Sequence, residues 1–430
     1  MDVERKVHLE KIIARRQNGL IKVITGVRRC GKSYLLFELY YRYLLSQNVP
    51  SASIIKLSLD NADFAKQRNP LELLKYITER ANARDDFYVF IDEIQFCKKI
   101  PNPDLQGEFI TFYDVLNSLL AKKNLDMYIT GSNSKMLSTD ILTEFRGRGD
   151  EIRLYPLSFA EFYAAKGGSK YDALSEYMLY GGLPLVLQRP TAESKVHYLK
   201  NLFEETYFKD IVERKKIERE DILALLTDSL CSSSGSLINP HTLTNTINSV
   251  QHNKADKRVT DVTVKNYLDY LKDAFLFTEA RRYDVRGKKY FDSTSKLYCI
   301  DCGLRNARLN MRQNEETHIM ENVIFNDLLQ RGLSVDVGVV ESFSKNAEGK
   351  TQRITREIDF VVNNGNAQYY IQSALSLDSP EKQVAELKPF SILNNSFKKI
   401  VVTRNELSPW YDEQGIYHIG LADFLLQEAL

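Results

Sequence analysis

Strand-length apolar runs alternate with helix-period segments through the first third of the chain. Leu20–Thr25, Ile54–Leu59, Phe87–Ile91, Leu125–Thr130 and Ile152–Tyr155 are the runs. Continuous apolarity of this kind marks strands covered on both faces of a parallel sheet. Between them, 34–45, 70–80 and 108–121 repeat apolar residues at helical spacing, as crossover helices do. The expectation is a five-stranded parallel sheet. Beyond about residue 160 the pattern turns helical, through 172–180, 196–213 and Ile222–Leu230. After the Ser-rich linker 231–236 a helix is expected at 241–250. A second follows at 262–272, capped by Thr260 or Asp261, with Val264, Tyr267, Leu268 and Leu271 on one stripe. A strand at 274–280 and a hairpin turning at Gly287 complete a predicted winged helix. The last segment reads as helix Thr317–Gln330, strands Val335–Glu341, Arg356–Val362 and Ala367–Ala374, a helix at 380–390 and a strand Lys398–Thr403. Three domains are expected: 1–165, 166–310 and 311–430.

Composition narrows the classes. The 58 Lys and Arg against 57 Asp and Glu leave a net charge of +1, which excludes a uniformly basic nucleic-acid binder but not local basic patches. No apolar run approaches the roughly 18 residues of a membrane span. The polar start MDVERKVHLEK and five irregularly spaced cysteines point to a cytoplasmic protein without a disulfide framework.

The chemistry concentrates at Gly26-Val27-Arg28-Arg29-Cys30-Gly31-Lys32-Ser33-Tyr34. It fits G-x-x-x-x-G-K-[ST] between a strand and a helix, which is the context this phosphate-binding motif requires. The glycines let the backbone approach phosphate, the loop N–H groups and helix start attract it, Lys32 reaches the β- and γ-phosphates, and Ser33 offers its hydroxyl to Mg²⁺. Cys30 lies beside a helix start, so bound nucleotide could protect it from alkylation; an inert loop residue is the favoured alternative. On a neighbouring strand, Asp92 is placed to hold Mg²⁺ and Glu93 to act as general base. Asn133 or Ser132, after the strand ending at Thr130, is the candidate to orient water or read the γ-phosphate. Arg148, with Arg146 second, is the candidate arginine finger inserted into a neighbouring subunit.

Taken together, GVRRCGKS, YVFIDEIQ, YITGSNSKML, FRGRGDEIRLYPLSFAEF and YGGLPLVL resemble a family of prokaryotic AAA+-type P-loop ATPases with a C-terminal domain of unknown function. The resemblance implies ATP binding and marks Lys32, Asp92-Glu93 and Gly147-Arg148. It also implies a helical and winged-helix middle and a C-terminal α/β domain like that of PD-(D/E)xK nucleases, a restriction-endonuclease-like fold.

Nuclease chemistry needs acids on adjacent strands and a lysine. Glu321 and Asp359 supply acids, but the third motif reads Gln372-Ser373-Ala374, and only the distant Lys382 follows. A degenerate domain is therefore expected. The basic residues Arg281, Arg282, Arg286, Lys288 and Lys289 offer a wing to duplex DNA; docking on a protein partner is the alternative. Lone Cys299-x-x-Cys302 lacks the four ligands zinc needs and reads as structural. The function expected is ATP binding with Mg²⁺-dependent hydrolysis, coupled to DNA or a protein partner. A non-hydrolysing switch or scaffold and a metal-dependent DNA nuclease are the rivals.

Overall fold

The computed structural model describes residues 3–81, 85–131, 145, 147–250, 258–312, 315–345, 351–393 and 395–430. The chain divides into two compact units. One is Asp2–Tyr155 with Asp273–Phe275; the other is Pro156–Lys272 with Leu276–Leu430.

In the first unit, α1 (Lys6–Ile13) precedes β1 (Ile21–Thr25). A helix then runs as α2 (Lys32–Tyr34), a π-helical segment Leu35–Tyr40 and α3 (Tyr41–Ser46). Next come β2 (Ile54–Ser58), α4 (Pro70–Arg80), β3 (Phe87–Asp92), the two-residue strands β4 (Ile100–Pro101) and β5 (Phe109–Ile110), α5 (Phe112–Leu120), β6 (Leu125–Thr130) and β7 (Gly149–Arg153). Asn69 caps α4 ahead of Pro70, and Thr111 with Asp114 forms a capping box on α5. The sheet order is β2-β3-β6-β1-β7, all parallel. The fully buried runs of β1, β3 and β6 explain why these strands lack alternation. Within this apolar sheet Lys22 is paired with Asp126, which also accepts from the Tyr128 hydroxyl at 2.7 Å. Burial draws the Lys22 ammonium below its usual range, against the pull of Asp126.

The second unit opens with helices α6 (Phe159–Lys166), α7 (Lys170–Tyr180), α8 (Pro184–Leu187), α9 (Ala192–Asn201), a π-helical segment Leu202–Phe208, α10 (Lys209–Lys215) and α11 (Glu220–Ser232). Ser158 and Glu161 cap α6 reciprocally, at 3.1 and 2.9 Å, which accounts for the PLSF-x-E pattern. The winged helix follows as β8 (Leu237–Ile238), α12 (Pro240–Val250), α13 (Asp261–Asp273), β9 (Phe277–Asp284) and β10 (Lys289–Cys299). Then come α14 (Cys302–Arg308), α15 (Glu316–Gln330), β11 (Ser334–Lys345), β12 (Thr351–Asn364), β13 (Ala367–Ala374), α16 (Pro380–Ser391), β14 (Lys398–Thr403), β15 (Trp410–Tyr411), β16 (Tyr417–Gly420) and α17 (Leu421–Leu426).

The tail does not form the separate restriction-endonuclease-like domain expected at 311–430. β11 pairs parallel to β9, so the tail strands and the wing share one nine-stranded sheet, β15-β16-β14-β13-β12-β11-β9-β10-β8. The expected acids Glu321 and Asp359 do come near each other, but around a cation supplied from outside the tail. Lys296 of β10 lies 2.8 Å from Glu321, 2.6 Å from Glu357 and 3.9 Å from Asp359. Gln372 accepts from the Asp359 N–H at 3.4 Å and donates to Glu386 at 3.0 Å, Ala374 is buried, and no cluster of metal-binding type occurs among the described residues. The nuclease fold was suggested by the order of helices and strands and by the family resemblance. That order carries no information about which outside strand completes the sheet.

Two other sequence motifs meet at Asp301, the N-cap of α14. Its carboxylate accepts from Gly182 N–H at 2.7 Å and Leu304 N–H at 3.0 Å. An added Cβ at Gly303 would lie 2.0 Å from the Tyr180 carbonyl oxygen, so GGLP and C-x-x-C-G are two halves of one packing contact. The cysteines are buried and free, with Cys299 donating to the Asp301 carbonyl.

Burial pushes the Asp301 carboxyl up to about 6 from 3.8, opposed by these backbone donors. An acid raised in the folded state contributes stability fully below its unfolded value and loses it as pH climbs through the folded one. Asp301→Ala should therefore cost about 3 kcal/mol near pH 4 by stranding buried N–H groups. By pH 7 the cost should shrink by up to about 3 kcal/mol. Urea unfolding across that range is the measurement, and a pH-independent cost would refute the assignment.

Candidate nucleotide site

The loop after β1 is shaped by two glycines. Gly26 has φ 138°, and a Cβ there would sit 2.1 Å from the Leu154 carbonyl oxygen, so only glycine fits between β1 and the end of β7. Gly31, at φ 100°, turns the chain into α2. Inside the curl Lys32 is buried and its ammonium donates to the carbonyls of Gly26 and Val27, at 2.9 and 3.1 Å. These neutral acceptors mark where phosphate oxygens would compete for the same protons. Val27 and Cys30 face inward, Arg28 and Tyr34 are half-buried, and Arg29 and Ser33 are exposed. The buried Cys30 thiol donates to the Leu154 carbonyl at 3.7 Å.

The acid pair sits at the end of β3, but that strand is not β1's neighbour: β6 lies between them. Asp92 is buried, and burial raises its carboxyl above the usual range, opposed by hydrogen bonds from the Thr130 and Ser33 hydroxyls. Thr130, the last residue of β6, also accepts from the Glu93 N–H at 3.2 Å. Glu93 is held in the left-handed region at φ 52°, a conformation costing about 1–2 kcal/mol for a residue with a Cβ. Its carboxylate is gripped by the Gln95 amide. Thr130 and Gln95 were not singled out from sequence. Thr130 is set by register: in the ladder Ile91 faces Ile129, which places Asp92 opposite Thr130.

Not every expected residue gathers here. Arg148 is exposed at the entry to β7, where its carbonyl accepts from Ile21 N–H at 2.9 Å. Five paired residues, Ile21–Thr25 against Gly149–Arg153, separate it from its own phosphate loop, a span of roughly 16 Å. Asn133, Ser132 and Arg146 lie outside the described residues.

In the second unit the expected basic residues line the wing: Arg281, Arg286, Lys288 and Lys289 are exposed on or beside β9 and β10. Arg281 lies over the Tyr290 ring, and Arg282 instead donates to Thr294 at 2.9 Å. Lys265 and Asn266 are exposed on α13.

Residues 18–163 match the family model described as an AAA domain, and 171–315 match a domain of unknown function (DUF8612). Residues 18–163 are thus an AAA domain, and ATP binding with its hydrolysis is the activity this domain carries. The chain is 32% identical to an uncharacterized protein of Haemophilus influenzae over 99% of both chains, and it belongs to the same family. An uncharacterized protein of Methanocaldococcus jannaschii is 26% identical over 94% of this chain and 85% of its own. Among solved structures, the Aeropyrum pernix ORC1 protein in complex with DNA is similar at 11% identity and TM-score 0.33, over 72% of this chain and 93% of that one. The nuclease-like half of the resemblance drawn from sequence is not upheld: after the AAA domain the tail strands continue the sheet of the helical and winged-helix region. No helix among the described residues is long and apolar enough to cross a membrane.

Two substitutions separate grip from chemistry. Lys32→Ala removes a charge-assisted contact and should weaken ATP binding about 10- to 100-fold. Thr130→Val keeps the shape but takes a donor from Asp92; it should lower kcat about tenfold while changing ATP affinity little. Titration with a fluorescent ATP analogue and steady-state phosphate release read the two effects.

Proposed function

We propose that this protein is a Mg²⁺-dependent ATPase whose site is completed by Arg148 of a second copy and whose winged helix engages duplex DNA. The observation that carries the reading is the meeting of Ser33, Asp92 and Thr130 beside the Lys32 loop. The donor set fits Mg²⁺: a hydroxyl and a carboxylate are hard oxygen ligands, and a buried carboxylate raised by desolvation is what a cation would relieve. Ser33 and Asp92 would hold the ion, which supplies charge neutralisation at the β- and γ-phosphates.

The chain's own residues do the rest. The 26–31 loop N–H groups and Lys32 orient the triphosphate. Glu93 takes the proton of the attacking water, and Gln95 fixes the direction from which it does so. Thr130 ties the acid that holds charge to the backbone of the acid that moves a proton. Arg148 is too far along the sheet to serve its own loop, which supports a role in trans. The nucleotide-binding segment 1–165, the connector and winged helix 166–310 and the tail 311–430 are the functional divisions of this reading. The five cysteines, all buried and free, suit the reducing cytoplasm.

Wild-type turnover should fall roughly 10²-fold or more in Glu93→Gln, with ATP binding retained. Equal rates would point to a nucleotide switch instead. For DNA, a wing meeting about four phosphates gives a log–log salt slope of about −3 to −4 on any duplex sequence. Charge reversal at Lys288 and Lys289 should flatten that slope. Binding that ignores salt would leave the wing to a protein partner.

A further inference from the structure

The end of the sheet remote from the phosphate loop carries its own polar construction. The turn 15–18 crosses the starts of three strands, two of them outside the element that carries Arg148. Gln17 donates from its backbone N–H to Asp126 at 3.0 Å and from its side chain to Asp86 at 3.1 Å. Arg16 donates to the Tyr88 hydroxyl at 2.6 Å with its guanidinium 5.2 Å from that ring. The turn is therefore anchored on β3 and β6. Its two remaining side chains both reach Asp150 of β7, one to each carboxylate oxygen: Arg15 Nε at 2.9 Å and Asn18 Nδ2 at 2.9 Å.

Asp150 stands two residues after Arg148. Side chains at i and i+2 of an extended chain project to one face, within reach of a long arginine. An Asp150 without partners would be a near anion for the Arg148 guanidinium. We propose that Arg15 and Asn18 are positioning residues: by pairing with both oxygens of Asp150 they offset its pull on Arg148, which stays available to a second copy of the chain. This rests on the reading of Arg148 as a trans arginine.

The test uses the full-length protein and ATP turnover. Arg148→Ala should be slow alone and regain activity when mixed with Lys32→Ala, whose loop is disabled but whose Arg148 is intact. Arg15→Ala should lower kcat about two- to fivefold, the occupancy an exposed ion pair can command, with KM for ATP unchanged. Mixing it with Lys32→Ala should restore the rate. The deciding variant is Arg15→Ala with Asp150→Asn. If Asp150 captures Arg148, removing its charge rescues kcat. If the turn only props the fold, the double variant is as slow as the single one or slower, and the proposal falls. Full activity in Arg148→Ala would instead sink the trans-arginine reading and this proposal with it. A slow Arg148→Ala beside a fully active Arg15→Ala sinks the proposal alone. Should Arg15→Ala fold poorly, Asn18→Ala with and without Asp150→Asn puts the same question.

Discussion

A carboxylate buried at the end of a parallel strand is the constraint on which the nucleotide unit turns. Asp92 is almost fully covered, and a lone anion there would be costly to keep. Two hydroxyls reduce that cost, one from the end of β6 and one from the residue after Lys32. They come from different regions of the chain, so the strand order β2-β3-β6-β1-β7 is what makes the acid tolerable. Thr130 can reach Asp92 only because β6 separates β3 from β1. The remaining cost is what a bound cation would relieve under the proposed function. Glu93, one residue on, is forced into a left-handed backbone by the same turn and ends on the half-buried side of the strand end, held by Gln95.

What could be seen in the sequence followed from locality. The phosphate loop is a contiguous motif whose glycines answer to contacts near their own backbone, and five apolar runs mark five strands to within a residue or two at most ends. Thr130 was not singled out because its place beside Asp92 depends on cross-strand register, and nothing near residue 130 reports that Ile91 faces Ile129. The adjacency of β1 and β3 was misjudged for the same reason. For Cys30 the motif left open a nucleotide-shielded thiol and an inert loop residue, and the curl of the loop turns its thiol toward the Leu154 carbonyl. The docking of GGLP on Asp301 joins residues 119 positions apart, beyond any pattern argument.

The tail shows the opposite failure, in which a pattern was present but its partner was not foreseen. Glu321, Glu357 and Asp359 resemble a metal-binding set until the side chain between them is identified as Lys296, from the strand that returns from the wing. Its ammonium is almost entirely buried, and the three acids raise it well above the usual range despite the cost of burial. Tyr298 adds a donor to Glu321 at 2.6 Å, and the Ser373 N–H one to Asp359 at 2.8 Å. A buried cation satisfied on this scale removes the need for a metal and ties β10, α15 and β12 together. Breaking such a pair is far more costly than never having formed it. The acids therefore read as structural once the wing strand is included.

A parallel sheet also sorts chemistry by direction. All five strands of the nucleotide unit run the same way, so every carboxyl end lies at one edge and every amino end at the other. At the carboxyl edge stand Thr25, Asp92 and Thr130, next to a loop and helix start suited to anions. At the amino edge stand the acids Asp86, Asp126 and Asp150, all bridged by the turn 15–18, with Lys22 buried beneath Asp126. One edge is built to accept the phosphates of a nucleotide, while the other spends its local cations on its own acids and leaves Arg148 exposed. A chain with phosphate affinity at one edge and an exposed arginine at the other cannot bring the two together within a single copy. The trans role proposed for Arg148 therefore calls for two copies set edge to edge.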